Sequence, residues 1–214
     1  MYKGENFVKL VFIGDSITDA NHNYTSDCMG DGYVKIISEQ LKKRGENIEI
    51  WNKGHDGFTV FGLWKFLEQD CLIKQPDIVS ILIGCNDVAI KMNTGKTLEE
   101  QGFQEMYEKI LKKIRKKTNA EIICMGPFIF RKPAEFVNWI PDICKCEEMA
   151  EETARKYNAI FLPLHDILTE EAEKNGIDYI STDGTHLTAV GAEIVAGKWL
   201  EATANWLDKR SEIG

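Results

Sequence analysis

Residues 8–17 read Val8-Lys9-Leu10-Val11-Phe12-Ile13-Gly14-Asp15-Ser16-Ile17, and this stretch decides the fold. A short apolar run that stops at a glycine is typical of a strand buried inside a parallel sheet. Asp15 and Ser16 follow at once, so a hydroxyl stands at the carboxyl end of the strand. Ligands of open α/β sheets bind beyond those ends. The stretch therefore predicts a buried strand that delivers Ser16 to a functional site.

The rest of the chain repeats this alternation of strand and helix. Strand-like runs fall at 48–51, 77–83, 121–125 and 159–164, and amphipathic stretches fall at 33–41, 60–70, 103–114, 143–157 and 190–207. Elements that alternate in this way build a parallel sheet whose right-handed crossovers cover both faces. The sequence shows no repeat, linker or low-complexity segment. We expect an α/β protein with three α/β/α layers in one domain over residues 1–214.

Bulk composition excludes several classes of protein. The 214 residues carry a net charge of −8, and the longest cationic cluster, 112–117, ends a predicted helix, so we expect no nucleic-acid partner. No window holds the ~20 apolar residues that a membrane span needs, and residues 1–6 lack an apolar signal core. The six cysteines show no framework spacing, which favours reduced thiols, no metal site and a cytoplasmic location.

Three groups for nucleophilic catalysis lie in two distant motifs. A serine hydroxyl is a poor nucleophile until an imidazole takes its proton and a carboxylate orients that imidazole. Ser16 is the predicted nucleophile, His186 the base and Asp183 the carboxylate. Ser16 alone would equally suit a helix amino-terminal cap. The other histidines have weaker partner sets, and they are His22, His55 and His165.

Two further motifs follow strands and offer hydrogen-bond donors. They are Asn52-Lys53-Gly54 and Gly84-Cys85-Asn86-Asp87. Fixed donors stabilise the oxygen that gains negative charge when a carbonyl is attacked. We predict that Gly54, Asn86 and the Ser16 backbone N–H form this oxyanion hole, although a turn glycine and an Asx-turn explain the same residues locally. Asp15 and Asp87 are expected to act behind the reacting groups, Asp15 by bracing its loop and Asp87 by tying the turn after the third strand.

These four motifs, in this order and across nearly the whole chain, resemble those of the GDSL esterases, also called SGNH hydrolases. Ile17 stands where that family usually has leucine. The resemblance implies a flavodoxin-like sheet of five parallel strands, an acyl-enzyme on Ser16, and ester hydrolysis without metal or cofactor. A Gly-x-Ser-x-Gly elbow is absent, because Thr18 occupies its last position.

The expected substrate is a small ester with an acetyl or other short acyl group, such as those found on carbohydrates. The segment 128–139 either overhangs the site as a lid or packs as local core. The same residues would also serve a lysophospholipase or a thioesterase, and a catalytically silent carbohydrate- or anion-binding module would retain the fold. A phosphate- or nucleotide-binding protein is disfavoured, because the sequence has no Gly-x-x-x-x-Gly-Lys-Ser/Thr loop. The sequence leaves the oligomeric state open.

Overall fold

The computed structural model describes residues 7–211 and contains one sheet of five parallel strands. The strands are β1 (Val8–Gly14), β2 (Ile48–Gly54), β3 (Ile78–Leu82), β4 (Glu121–Met125) and β5 (Ile160–Leu162). Their spatial order, β2-β1-β3-β4-β5, is the flavodoxin-like order. β1 pairs with both β2 and β3, so Gly14 lies beside Gly54 on one side and Leu82 on the other. The topological switch point therefore lies at the carboxyl end of β1.

The connections are mostly helical, and the longest helix ends the described chain. The helices are α1 (Ser16–Asp19), α2 (Tyr33–Lys43), α3 (Val60–Asp70), α4 (Cys85–Thr94), α5 (Leu98–Gln101), α6 (Phe103–Lys117), α7 (Ile140–Lys156), α8 (Leu164–Asn175), α9 (Ile177–Ile180) and α10 (Ala189–Ser211). Short 3-10 helices cover His22–Tyr24, Leu72–Lys74 and Ala134–Asn138. Within residues 7–211, no helix combines the length and the apolar character needed to cross a membrane.

Two apolar clusters cover the two faces of the sheet and make the three predicted layers. Val11 and Ile13 of β1 face the helices α3, α6 and α7, while Leu10 and Phe12 face α2, α8 and α10. Burial on both faces explains why the strand is a continuous apolar run. Trp199 of α10 packs against Phe12, with ring centroids 5.3 Å apart, and its indole N–H donates to Ser80 Oγ at 2.8 Å. The long terminal helix is thus fastened to the centre of the sheet.

The predicted strands and long helices are present, and the five further helices are α1, α4, α5, α8 and α9. α4 and α8 begin directly after a strand, and the short α5 and α9 each follow a longer helix. α4 removes the local alternative that was considered for Asn86. Asn86 lies in the first turn of this helix and not in an Asx-turn.

Candidate active site

A sharp exit from β1 places Ser16 at the edge of the sheet. Gly14 leaves no space for a side chain, because a Cβ there would lie 2.2 Å from Thr18 Oγ1 and 2.6 Å from Leu82 O. Asp15 then caps α1, since its carboxylate accepts the Ile17 N–H at 3.1 Å. Ser16 is the first residue of this helix. Asp15 therefore provides the cap, and the Ser16 hydroxyl is left for the site.

Ser16 and His186, 170 positions apart in the chain, meet across the site. His186 Nε2 lies 3.0 Å from Ser16 Oγ, and its Nδ1 lies 2.7 Å from Asp183 Oδ2. The other predicted histidines do not compete for Ser16. His22 is paired with Asp19, His55 is paired with Asp70, and His165 is buried with its pKa lowered by that burial.

The carboxylate of Asp183 is held in its charged form. Partial burial opposes ionisation, but the His186 side chain and the backbone N–H groups of His186 and Thr185 donate to it, and its pKa falls below the ordinary value. An ionised Asp183 accepts a hydrogen bond from a protonated Nδ1 of His186. The Nε2 lone pair of neutral His186 is then free to accept the Ser16 proton.

A buried serine shapes the loop that carries His186. Ser181 Oγ donates to His186 O at 2.7 Å and accepts the Gly184 N–H at 2.9 Å. Ser181 also forms an isolated bridge with Leu187. The two ends of the loop are therefore joined beneath the imidazole, which limits the positions that the ring adopts.

The segment 128–139 supports this loop from below. Phe128, Ile129 and Phe130 are almost fully buried, and the Phe130 N–H donates to Gly184 O at 2.8 Å. Gly184 has φ +94, and a Cβ there would lie 1.6 Å from Lys132 O. The first half of the segment is thus core beneath the histidine loop, whereas the 3-10 helix at Ala134–Asn138 has no buried residue.

Asn86 is placed as a hydrogen-bond donor by helix α4 and by the loop between β2 and α3. It stands in the first turn of α4, and its Nδ2 donates to Phe58 O at 2.9 Å. An amide nitrogen carries two hydrogens, so one fixes the side chain and the other remains for a ligand. This arrangement agrees with the expectation of an anchored amide.

Gly54 requires a correction, because its N–H is already occupied. It donates to Asn52 Oδ1 at 3.0 Å, and a Cβ at Gly54 would lie 2.1 Å from Asp19 N. Gly54 is therefore a close-packing glycine. Gly57, three residues later, has φ +71 and open space around its Cα, and no acceptor within residues 7–211 takes its N–H. The repeated glycine in Gly54-His55-Asp56-Gly57 was the sequence signal for this turn.

The loop that carries Gly57 is held on several sides. The His55 N–H donates to Gly14 O at 3.0 Å, and the Asp56 N–H donates to Asp19 Oδ2 at 3.1 Å. The His55 ring bonds Asp70 through Nε2 at 2.8 Å and stacks on Phe58, with centroids 4.3 Å apart. Since Phe58 also binds Asn86, the loop and the amide form one unit.

Asp15 and Asp87 are buried carboxyl groups behind these donors. Burial raises the pKa of each to about 7, and the charge of Asp15 contributes to the raised pKa of Asp87. Both oxygens of Asp87 accept the Val60 N–H, at 3.2 and 3.3 Å, so Asp87 fixes the start of α3 and, through it, the Gly57 loop. Asp15 fixes the start of α1.

We expect Asp87→Asn to weaken the pH dependence of stability. The pKa of about 7 in the folded protein exceeds the ordinary 3.8, so the folded state keeps a proton that the unfolded chain has lost between these pH values. The free energy of unfolding therefore falls as pH rises through this window, by up to about 1.4 kcal/mol per pH unit for one group. Asparagine does not titrate. Urea unfolding at pH 5 and pH 8 should show a smaller loss for Asp87→Asn than for the wild type or the exposed control Asp208→Asn; equal losses would contradict the assignment.

A cleft of about 940 Å³ opens beside Ser16 and His186. One wall comes from residues 16–33, the other from residues 182–192, and Asp56 contributes from the Gly57 loop. The wall at 16–33 is mostly polar, with Asp19, Asn21, Asn23 and Asp31 beside the exposed ring of Tyr24. Within residues 7–211, the lining contains three aspartates and no lysine or arginine.

A five-stranded parallel sheet of flavodoxin-like order, with serine, histidine and aspartate joined at its switch point, is typical of serine hydrolases. The chain belongs to the GDSL-like lipase/acylhydrolase family, whose model matches residues 12–194. An acetylxylan esterase from Geobacillus stearothermophilus is 28% identical over 213 residues, which cover 94% of this chain and 97% of that protein.

Solved structures agree with this assignment. A protein described as a GDSL-like lipase, from Parabacteroides merdae, superposes with a TM-score of 0.85 at 31% identity, covering 93% of this chain and 98% of its own. The crystal structure of the Geobacillus stearothermophilus acetylxylan esterase gives a TM-score of 0.80 at 25% identity, with 91% and 93% covered. The five-stranded flavodoxin-like fold expected from the sequence is confirmed, and the chain is a carboxylic ester hydrolase.

Proposed function

We propose that this chain acts as one catalytic domain that removes acetyl groups, or other short acyl groups, from esters of carbohydrates. Ser16 is the nucleophile, His186 the general base and acid, and Asp183 the group that orients His186. One observation carries the proposal: Ser16 Oγ lies 3.0 Å from His186 Nε2, with Asp183 bound to the opposite nitrogen.

The reaction has two stages. His186 Nε2 takes the proton of Ser16 as Oγ attacks the carbonyl carbon, and His186 then gives that proton to the leaving alcohol oxygen. An acyl group remains on Ser16. A water molecule then attacks the acyl carbon and gives a proton to His186. The bond between the acyl carbon and Ser16 Oγ breaks, Oγ takes the proton from His186, and the carboxylic acid is released.

The carbonyl oxygen becomes negative in both stages. Three donors suit it: the Ser16 N–H, which has no partner inside the first turn of its helix, the Gly57 N–H and Asn86 Nδ2. Neutral donors held by the fold need no reorganisation when the charge appears. Asn86 and the Gly57 loop are joined through Phe58 O, which supports their acting together.

The choice of a short acyl group on a carbohydrate rests on the relatives and on the cleft. The relative from Geobacillus stearothermophilus is an acetylxylan esterase, and its catalytic mutants replace a serine, an aspartate or a histidine. The three aspartates in the lining of the present cleft offer acceptors for the hydroxyl groups of a sugar. Within residues 7–211, the lining has no lysine or arginine, the side chains that would bind the phosphate of a lysophospholipid or of a coenzyme A thioester.

The chain-length profile tests this function. We expect kcat/KM for p-nitrophenyl acetate to exceed that for the octanoate ester, and acetate to be released from acetylated xylooligosaccharides. A preference for octanoate would favour the lysophospholipase or thioesterase alternative. Lack of turnover on every ester would favour the silent binding module. A fluorophosphonate adduct on Ser16, located by mass spectrometry, checks the nucleophile directly.

A further inference from the structure

The two sides of Ser16 differ in what they offer a bound ester. His186 stands on the side of the cleft, together with Leu187 and Thr188. Asn86 and Gly57, the donors assigned to the carbonyl oxygen, are not among the residues that line the cleft. The cleft therefore opens on the imidazole side of Ser16 and does not include Asn86 or Gly57, although Asp56, beside Gly57, contributes to its lining.

This asymmetry fixes which half of the ester enters the cleft. The alcohol oxygen must lie near His186 Nε2, because that atom donates the proton on which the alcohol leaves. The group attached to the alcohol oxygen then continues into the space beyond His186. With about 940 Å³, that space is in the range of sites for ligands much larger than an acetyl group.

Resting on the function proposed above, we propose that this cleft is the subsite for the alcohol portion of the substrate, and that it selects a neutral saccharide and rejects an anionic one. Tyr24 provides the ring-binding surface, and Asp31 and Asp56 accept the sugar hydroxyls.

The state of the three aspartates supports this division of roles. Asp19 is occupied by structure, because one oxygen binds His22 and the other accepts the Asp56 N–H. Asp31 uses one oxygen for the Asn21 amide, at 3.3 Å, and within residues 7–211 its other oxygen has no partner. The Asp56 carboxylate likewise has no partner in the described part of the chain. Both side chains are exposed to the cleft, and carboxylates accept from several hydroxyls at once.

Tyr24 has the form of a sugar platform. Its relative exposure is 90%, although it lies on the wall of the cleft. A large aromatic ring left in water presents an apolar face for the C–H groups of a pyranose and keeps its hydroxyl solvated. It follows His22–Asn23 in the 3-10 helix, whose first residue is buried and bound to Asp19, so the platform has a fixed base.

Charge gives the subsite its selectivity. The carboxylates of Asp31 and Asp56, with no lysine or arginine in the lining, repel a substrate whose alcohol portion carries a negative charge. Because these groups are exposed, the repulsion weakens as the salt concentration rises. The matched pair for the test is a methyl glucoside and a methyl glucuronoside, acetylated at the same hydroxyl position. We expect kcat/KM to be about tenfold lower for the glucuronoside at low ionic strength, with the ratio approaching one at high salt and in the double variant Asp31→Asn, Asp56→Asn. An equal kcat/KM for both sugars at low salt would overturn the selectivity.

The platform is tested with acetylated xylotriose against p-nitrophenyl acetate, whose alcohol contains no sugar ring. Tyr24→Ala should raise KM for the xylotriose ester about tenfold and so lower the ratio of the two kcat/KM values. Tyr179→Ala, at an exposed tyrosine outside the cleft lining, should leave this ratio unchanged. If Tyr24→Ala and the wild type have the same ratio of kcat/KM values and both cleave p-nitrophenyl acetate, the subsite is refuted but the esterase function is not. If neither ester is cleaved by the wild type, the proposed function itself fails.

Discussion

Ser16→Ala and His186→Ala should each lower kcat for p-nitrophenyl acetate by a factor of roughly 10³ or more. The two side chains act as a unit, since Oγ reacts only when Nε2 takes its proton, and these atoms are 3.0 Å apart. The double variant should therefore be about as slow as either single variant. KM should change much less, because neither side chain binds the ester strongly before reaction.

Controls separate chemistry from folding in this experiment. Ser26→Ala removes an exposed serine hydroxyl outside the cleft lining and should retain full activity. Thermal unfolding should be similar for Ser16→Ala and the wild type, because the hydroxyl is not a core group. A fluorophosphonate should label the wild type and Ser26→Ala but not Ser16→Ala. Retention of more than a tenth of wild-type kcat by Ser16→Ala would exclude acyl transfer through this serine.

Asp183→Asn extends the same argument to the third residue. The backbone bonds from Thr185 and His186 to Asp183 Oδ1 can persist with an amide oxygen, so the loop should keep its course. Loss of the negative charge removes the stabilisation of the imidazolium. The decrease in kcat should therefore be smaller than for His186→Ala.

The strands were predictable because burial on two faces leaves a simple pattern. Successive side chains of β1 pack into the two apolar clusters in turn. Both clusters are apolar, so the sequence of β1 shows one continuous apolar run that stops at Gly14. The helices α4 and α8 were not predicted, since each begins at once after a strand and opens with residues that have a second interpretation. Asn86 and Asp87 suit a turn, and His165-Asp166 suits a loop.

The position of Ser16 was predictable from topology, because the carboxyl ends of parallel strands lie at one edge of the sheet. His186 lies instead in the loop between α9 and α10, so its meeting with Ser16 was predictable only from the residue types and the family resemblance. The donor glycine was not predictable. Gly54 ends β2 and Gly57 comes three residues later, and the sequence does not show that the Asn52 side chain takes the Gly54 N–H. That bond depends on the burial of Asn52, whose amide also donates to Thr18 O and Met29 O. Hydrogen bonds between distant segments leave no local pattern.

Asn86→Ala is expected to lower kcat for p-nitrophenyl acetate by about 10²–10³, with a small change in KM. The amide hydrogen that Phe58 O does not use is assigned to the oxyanion, which carries full charge only near the transition state. Loss of such a donor corresponds to about 3–4 kcal/mol in the activation free energy. The pH dependence of kcat/KM should keep its shape, because the Ser16–His186 pair is untouched.

Asn93→Ala is the matched control for Asn86→Ala, because Asn93 lies on the same helix α4 and its amide donates only to Ala89 O on the exposed surface. It should leave kcat unchanged. Asn86→Ala also removes the bond to Phe58 O, so both variants need thermal unfolding and a rate of fluorophosphonate labelling. A donor role predicts slow labelling as well as slow turnover, since the reagent also places negative charge on an oxygen at this position. Wild-type labelling and turnover in Asn86→Ala would leave the Ser16 and Gly57 N–H groups to stabilise the oxyanion alone, and Asn86 would then only anchor the loop.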